Sequence, residues 1–432
     1  MKKDTETEFK KLLLERYGIG EEIYSLALEA EREAAGSLEK IDRIKEFNTL
    51  KVLSAFRKEE ISDRHFAGTT GYGYDDIGRD AIDKVFANAF GAEDAIVRPQ
   101  IASGTHTLAI TLFGLLRPGD ELLAVTGKPY DTLEEVIGIR PGVGSLAEYG
   151  VKYSQVDLLP GGVPDLKAIH NAVNENTKVA EIQRSRGYAE RKAYTVDEIS
   201  GIVKAVKSKN PNTIVFVDNC YGEFTGIEEP TQVGADIMAG SLIKNPGGGL
   251  AKSGGYIAGR KQYVEMCSYR VTCPGAGREI GASVGTNRDI LQGFYLAPQI
   301  VAESLKGAVF TASLFEKLGF ETSPLKDEPR GDIVQTIKFG TQEGLTTFCG
   351  AVQAAAPIDS FVVPEAWDMP GYDVPVIMAA GAFVQGSSIE LSADGPMKPP
   401  YIAFMQGGLS YANVKLASML AAERLLKLKN NK

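Results

Sequence analysis

Apolar positions along the chain change period, and each period predicts a different kind of element. Up to about Glu60 the residues are rich in Leu, Ala, Glu and Lys, and Leu26, Ala30 and Ala34 share one face at helical spacing. This predicts a helical N-terminal arm over residues 1–64, used for packing or oligomerisation, with its charges on a solvated face. Short apolar runs follow at Asp94–Ile101, Glu121–Val125, Val179–Gln183, Ile214–Val217, Ile237–Ile243 and Tyr256–Ala258. Helical patterns separate them after Ser103 and across Val196–Lys207. Near-continuous apolar strands are expected where helices cover both faces of a parallel sheet. The alternation therefore predicts an α/β domain over residues 65–298, with a large, mainly parallel sheet and right-handed crossovers. A long helical pattern, Arg288–Phe315, leads into residues 299–432, read as a smaller α+β domain. Its strand-like pieces are Ile333–Ile337, Ser360–Val363 and Ile402–Phe404, and a helix from about Asn413 to Leu428 closes it. The region Asp359–Met405, rich in Pro, Gly and Met, reads as loops bordering a cleft.

A chain of 432 residues exceeds one typical hydrophobic core, in keeping with two domains. Its 56 acidic and 47 basic residues give a net charge of −9, which disfavours nucleic acid and anionic lipid as partners and points to a small substrate. No window supplies the roughly 18 apolar residues of a membrane span, and Met1, Lys2 and Lys3 are followed by acidic residues of helical pattern rather than a secretory apolar stretch. Cys220, Cys267, Cys273 and Cys349 form no C-x-x-C pair, which suits a reducing, cytoplasmic setting. His65, His106 and His170 lack the spacing of a helical zinc motif, and no G-x-S-x-G elbow positions a serine nucleophile. Neither metal catalysis nor a hydrolase is expected.

Chemistry concentrates in a few stretches. Ser241–Gly255 reads S-L-I-K-N-P-G-G-G-L-A-K-S-G-G, so the apolar run ends at Lys244 and the proline and glycines stop any regular element. Apolar neighbours would disfavour the Lys244 ammonium and leave an amine able to form a Schiff base with an aldehyde. Strand, small-residue turn and helix at S-G-T-H-T, Ser103–Thr107, is the geometry that offers backbone N–H groups to phosphate. A simple N-cap at Ser103 and a capping role for His106 explain the same residues. Tyr130 follows a strand at the edge where open α/β sheets bind ligands, and core filling is its alternative. Asp218, behind four apolar residues, calls for a cation or a hydrogen-bonded cap. The loop G-T-T-G-Y-G-Y-D-D-I-G-R, Gly68–Arg79, gathers anion-binding groups or is a surface turn. Lys252 lacks the preceding glycine of a P-loop, which sets a nucleotide-binding reading aside.

A Schiff-base lysine, an acid for a pyridinium nitrogen, an aromatic ring and a phosphate cradle are the parts that hold pyridoxal 5′-phosphate. In S-G-T-H-T, V-D-N-C-Y-G-E-F and S-L-I-K-N-P-G-G-G-L-A-K-S-G-G, the sequence resembles the cystathionine and methionine lyase group of fold-type I pyridoxal-phosphate enzymes, over nearly the whole chain. Within that group it is most similar to the methionine gamma-lyase-like branch labelled aluminium resistance proteins. The resemblance implies the fold-type I transferase architecture. It also implies that Lys244 carries the cofactor, Asp218 meets its ring nitrogen, Tyr130 stacks on the ring and can protonate a leaving sulfur, and Ser103, Gly104, Thr105 and Ser241 hold its phosphate. Tyr74 and Arg79 would reach a neighbouring subunit's phosphate site, making the protein a homodimer or homotetramer with a shared active site. The implied activity is β- or γ-elimination from cystathionine, cysteine or methionine, giving a 2-oxo acid, ammonia and a thiol. An aminotransferase or γ-replacement enzyme is the alternative on the same parts, and a non-catalytic carrier or regulatory protein is the alternative of another class. Three departures matter. Ile243 stands where relatives have a hydroxyl, and Q-R-S-R-G-Y, Gln183–Tyr188, replaces their asparagine-proline segment, offering Arg184 or Arg186 to a substrate carboxylate. The customary C-terminal arginine has only weak counterparts, Arg330 and Lys398.

Overall fold

The computed structural model describes residues 4–369 and 374–430. The chain divides into two compact units, one comprising Ile44–Gln299 with Arg330–Asp332, the other Met1–Arg43, Ile300–Pro329 and Ile333–Lys432. Helices Thr5–Tyr17 and Glu21–Glu33 fall in the second unit, and helix Ala35–Lys58 passes from it into the first. The chain returns inside the long helix Asn287–Lys317. Among the described residues no helix is long and apolar enough to cross a membrane.

The first unit holds a sheet of seven strands: β1 (Asp94–Arg98), β2 (Glu121–Ala124), β3 (Lys152–Gln155), β4 (Thr177–Gln183), β5 (Ile214–Asp218), β6 (Ile237–Ser241) and β7 (Gly255–Gly259). They lie in the order β1-β7-β6-β5-β4-β2-β3, with β2 to β6 joined in parallel and β7 running against both its neighbours. The apolar runs thus become the mainly parallel sheet they predict. Strand β3 was not legible because its residues K-Y-S-Q sit half-exposed at the sheet edge and form no apolar run.

One face of this sheet is packed by Ile96, Leu122, Val179, Ile214, Phe216, Ile237 and Ile257. Against it lie Leu108, Leu112 and Leu115 of helix Gly104–Leu115 and Val264 and Cys267 of helix Lys261–Val271. Each large side chain so buried contributes about 1.5–3 kcal/mol. Parallel register brings the C-terminal ends of β4, β5 and β6 together, with Gln183 paired to Asp218 and Asp218 to Ala239. Ligands bind at that edge in open α/β sheets.

The second unit has an antiparallel sheet, β8 (Glu321–Ser323), β9 (Gln335–Lys338), β10 (Val376–Ala379), β11 (Ser392–Pro396) and β12 (Ile402–Gln406), in the order β10-β11-β12-β9-β8. Phe315, Phe348, Ile377, Met405 and Val414 form its core with helices Gln342–Ala354 and Tyr411–Asn430. Ser360–Val363, expected as a strand, is a turn. Asp359 takes a left-handed φ of 55°, and Phe361 is 84% exposed.

Candidate active site

Strand β5 is buried along its whole length and delivers Asp218 to the sheet edge, where Asp218 Oδ1 accepts the Cys220 N–H at 3.1 Å. Its neighbour β6 delivers Ser241, which is 1% exposed and whose Oγ has no hydrogen-bond partner among the described residues. Three residues later Lys244 leaves the sheet with φ −113° and ψ −148°, ahead of the short turn Asn245–Gly247. That turn is possible because Gly247 has no side chain, since a Cβ there would stand 1.7 Å from the Leu242 carbonyl oxygen.

The helix Gly104–Leu115 begins at the same edge. Ser103 caps it by accepting the His106 N–H at 3.1 Å, and His106 Nδ1 in turn accepts the Ala102 N–H at 3.0 Å. Both side chains therefore have the capping roles that a plain helix start requires. The N–H groups of Gly104 and Thr105, in the first turn, have no intrahelical acceptor. Thr105 Oγ1 lies 2.7 Å from Thr132 Oγ1 in the segment after β2.

Gly104 marks the point of convergence. A Cβ placed on it would lie 3.4 Å from Cys220 Sγ, 3.5 Å from Ser241 Cβ and 3.7 Å from Lys244 Nζ. The Lys244 Nζ also stands 4.0 Å from the centroid of the Tyr221 ring. A lysine, an unbonded hydroxyl, a helix N-terminus and a neighbouring buried acid thus meet around one side-chain-free position.

The electrostatics correct one expectation. Burial does oppose the Lys244 ammonium, but Cys220, Tyr221, Asp218 and Glu223 together outweigh it and raise the lysine's proton affinity. Without a ligand the residue is held as an ammonium rather than as a free amine. Burial pushes the Asp218 carboxyl up, with Lys244 the largest opposing influence. It likewise pushes the Cys220 thiol up, so that this cysteine is an inert thiol at neutral pH.

Two further buried acids were missed in the sequence. Glu223 is raised to about 8, by burial first, and accepts the Tyr256 hydroxyl at 2.7 Å. Glu181, on β4, is also raised to about 8, by burial and then by Asp218, and among the described residues neither of its oxygens has a hydrogen-bond partner. Glu223 was within the quoted V-D-N-C-Y-G-E-F stretch; nothing in an apolar run such as V-A-E-I marks Glu181 as partnerless.

The segment after β4 is also informative. Arg184 is 1% exposed and donates to Asn219 Oδ1 at 2.7 Å, Thr225 Oγ1 at 3.1 Å and the Tyr194 carbonyl at 3.3 Å, with Glu229 at 3.6 Å. These bonds commit its guanidinium to the core, which corrects its expected role as a carboxylate binder. Arg186 is buried as well. Arg191, not anticipated, braces this segment by donating to the carbonyls of Gln183 at 2.9 Å and Ser185 at 2.7 Å. The Tyr130 ring lies against Gly187, where a Cβ would come within 3.0 Å of it, and so borders the strand next to Asp218.

Tyr74 and Arg79 are not brought to Lys244 within this chain. Tyr74 is 62% exposed and stacks on Tyr72 with centroids 5.5 Å apart. Arg79 is buried, donating to the carbonyls of Gly73 at 2.7 Å and Gly281 at 3.3 Å and to Asp80 at 2.9 Å. Lys252 forms an ion pair with Asp289 at 2.9 Å, as a loop charge would.

The fold is that of the fold-type I pyridoxal-phosphate-dependent proteins, shared with cystathionine gamma-lyase from yeast at a TM-score of 0.59 and 15% identity, over 87% of this chain and 98% of that one. The model of the Methionine gamma-lyase family matches residues 23–426, and the chain belongs to that family. It is 54% identical over 409 residues to the uncharacterized protein YnbB of Bacillus subtilis (strain 168), covering 94% of this chain and 97% of the relative. A crystal structure described as a carbon-sulfur lyase involved in aluminum resistance, from Clostridium novyi NT, superposes at a TM-score of 0.93 and 48% identity, over 97% of this chain and 99% of that one.

Proposed function

We propose that this chain is a pyridoxal-phosphate-dependent carbon–sulfur lyase that releases a thiol, ammonia and a 2-oxo acid from a sulfur-containing amino acid such as cystathionine, cysteine or methionine. The observation that carries this reading is the meeting of Lys244, Ser241 and Cys220 around Gly104, beside Asp218, in a member of the methionine gamma-lyase family. The residues fit the cofactor on two counts. Ser241 presents a buried hydroxyl with no partner among the described residues, and a Cβ on Gly104 would meet only ordinary contacts, so there is room beside it.

Lys244 would hold the aldehyde carbon, Asp218 the ring nitrogen, and Ser241 with the N–H groups of Gly104 and Thr105 the phosphate. Tyr130 would flank the ring. Ile243 gives phosphate no hydrogen bond, so the helix terminus and Ser241 carry that contact. When bound, the cofactor supplies an electron sink for negative charge at the substrate Cα. Lys244 Nζ removes the Cα proton, and the acidic groups that raise its proton affinity make it a strong base once it is neutral. The Tyr130 hydroxyl gives a proton to the departing sulfur. Because Arg184 is committed to the core, Arg186 is the residue of this segment that receives the substrate carboxylate.

The test is an absorbance spectrum between about 300 and 500 nm, before and after borohydride reduction, on the parent and Lys244→Ala. A band near roughly 420 nm that reduction fixes only when Lys244 is present is expected, followed by thiol and 2-oxo acid release from sulfur amino acids. Loss of thiol release in Lys244→Ala by at least about a thousandfold is also expected. No band on adding pyridoxal phosphate to the parent would sink the reading.

A further inference from the structure

Among the described residues the Lys244 side chain makes no hydrogen bond and no ion pair, and the group it contacts is the face of the Tyr221 ring, 4.0 Å from Nζ. An ammonium that is only partly exposed and donates no hydrogen bond to the protein has lost part of its hydration, which is costly. An aromatic face within about 6 Å is the contact that offsets this cost, and it does so more strongly away from water.

The backbone of Tyr221 indicates that this ring is placed deliberately. Its φ is +71°, in the left-handed region that a bulky residue rarely enters, and such outliers persist only where their surroundings impose them. Here several constraints act together. The Gly222 N–H donates to the Asn219 carbonyl at 2.9 Å, closing a tight turn. Gly222 has no room for a side chain, because a Cβ would stand 2.4 Å from the Arg184 side chain. Asn245, next to the lysine, donates from Nδ2 to the Tyr221 carbonyl at 2.9 Å and to the Glu223 carbonyl at 3.0 Å. The residue that follows Lys244 therefore fixes the turn that carries the ring beneath it.

We propose that Tyr221 is a positioning residue whose ring face is the resting place of the free Lys244 ammonium, holding it protonated at the head of the helix Gly104–Leu115. The resting place is a property of the chain alone; its use in catalysis rests on the lyase reading. The neighbouring Asp218 carboxyl stays in place when the ring is altered, whereas the Tyr221 hydroxyl, which also acts on Lys244, is lost alike in Tyr221→Phe, its fluorinated forms and Tyr221→Leu, so that comparison among these isolates the ring face. Weakening the ring's attraction then lowers the proton affinity of Lys244 and raises the fraction present as amine.

The experiment uses the whole chain freed of aldehyde cofactor with hydroxylamine. Acetic anhydride labels the amine form, and the rate at Lys244 near pH 8 is read by peptide mass spectrometry against exposed lysines. Position 221 is varied as Tyr221→Phe, then phenylalanine carrying one and three ring fluorines, which weakens the negative face stepwise at nearly constant shape, and Tyr221→Leu. Tyr221→Phe is expected within about twofold of the parent, with labelling rising through the fluorinated series to roughly tenfold in Tyr221→Leu. A flat series, or Tyr221→Phe as fast as Tyr221→Leu, would overturn the proposal, and the fluorinated series decides it even if Tyr221→Leu misfolds. Adding pyridoxal phosphate to the same preparations separates the two readings. A flat series with a normal band near roughly 420 nm rejects the resting place alone, whereas a graded series with no band rejects the lyase.

Discussion

At the scale of single residues, the buried acids govern how the protein responds to pH. Glu181 is held protonated to about 8, against an ordinary value of 4.5, because burial and the nearby Asp218 disfavour its charge. Between those values the folded chain keeps a proton that the unfolded chain has lost, so stability falls as pH rises through the window, by up to a few kcal/mol. Glu181→Gln removes that titration. The melting temperature of Glu181→Gln relative to the parent is expected to shift in the variant's favour by several degrees from about pH 5 to about pH 8, then flatten. An unchanged difference across the range would show that Glu181 does not carry this proton.

Much of the site was legible residue by residue because its motifs are strand ends and helix starts, where sequence reports geometry directly. Lys244, Asp218, Ser241 and Gly104 sit together because each stands at an apolar run's end or a helix's first turn. Charge state was less legible. The apolar neighbours of Lys244 along the chain suggested a neutral amine, but its acidic neighbours come from β5 and the turn after it. Arg184 misled for the same reason, since Asn219, Thr225 and Glu229, which bind it, lie more than thirty positions away in the chain.

Among the elements, the helix Gly104–Leu115 separates folding from ligand binding. A Cβ on Gly104 would make only ordinary contacts, the nearest at 3.4 Å, so Gly104→Ala is expected to change stability by less than about 1 kcal/mol. The added methyl would nevertheless fill the space between Ser241, Cys220 and Lys244, and affinity for pyridoxal phosphate is expected to fall at least about tenfold. Fluorescence titration of the two proteins, with their melting curves, checks both halves of the prediction. Of the strands that sequence missed, β3 and β8 are short and partly exposed, and their pairing partners rather than their own residues define them, while β10 and β11 are largely buried strands within the Pro-, Gly- and Met-rich region expected as loops. Conversely, Phe361, Val362 and Val363 have the composition of a strand but pair with no strand among the described residues.

For the whole molecule, the expectation of a shared active site becomes a prediction about assembly. The loop Gly68–Arg79 exposes Tyr72, Tyr74 and Ile77 beside Val284, itself 70% exposed, while Asp76 pins the loop from inside. An exposed aromatic pair on so well fixed a loop suits a face covered by a second copy. The protein is expected to sediment as a dimer or tetramer, and Tyr72→Ser with Tyr74→Ser to weaken association at least about tenfold. A parent that sediments as a monomer at micromolar concentration would refute this.

The hydrogen bonds from Asn245 to the carbonyls of Tyr221 and Glu223 have a consequence for redesign and for inheritance. They make residues 218–223 and 241–247 one interchangeable cassette, although the seventeen residues 224–240 separate the two pieces. A transplant or recombination crossover that takes one piece from a relative and leaves the other behind would bring the lysine without its seat. Functional chimaeras should therefore be recovered when both pieces come from the same parent, and breakpoints between Phe224 and Gly240 should be depleted among them.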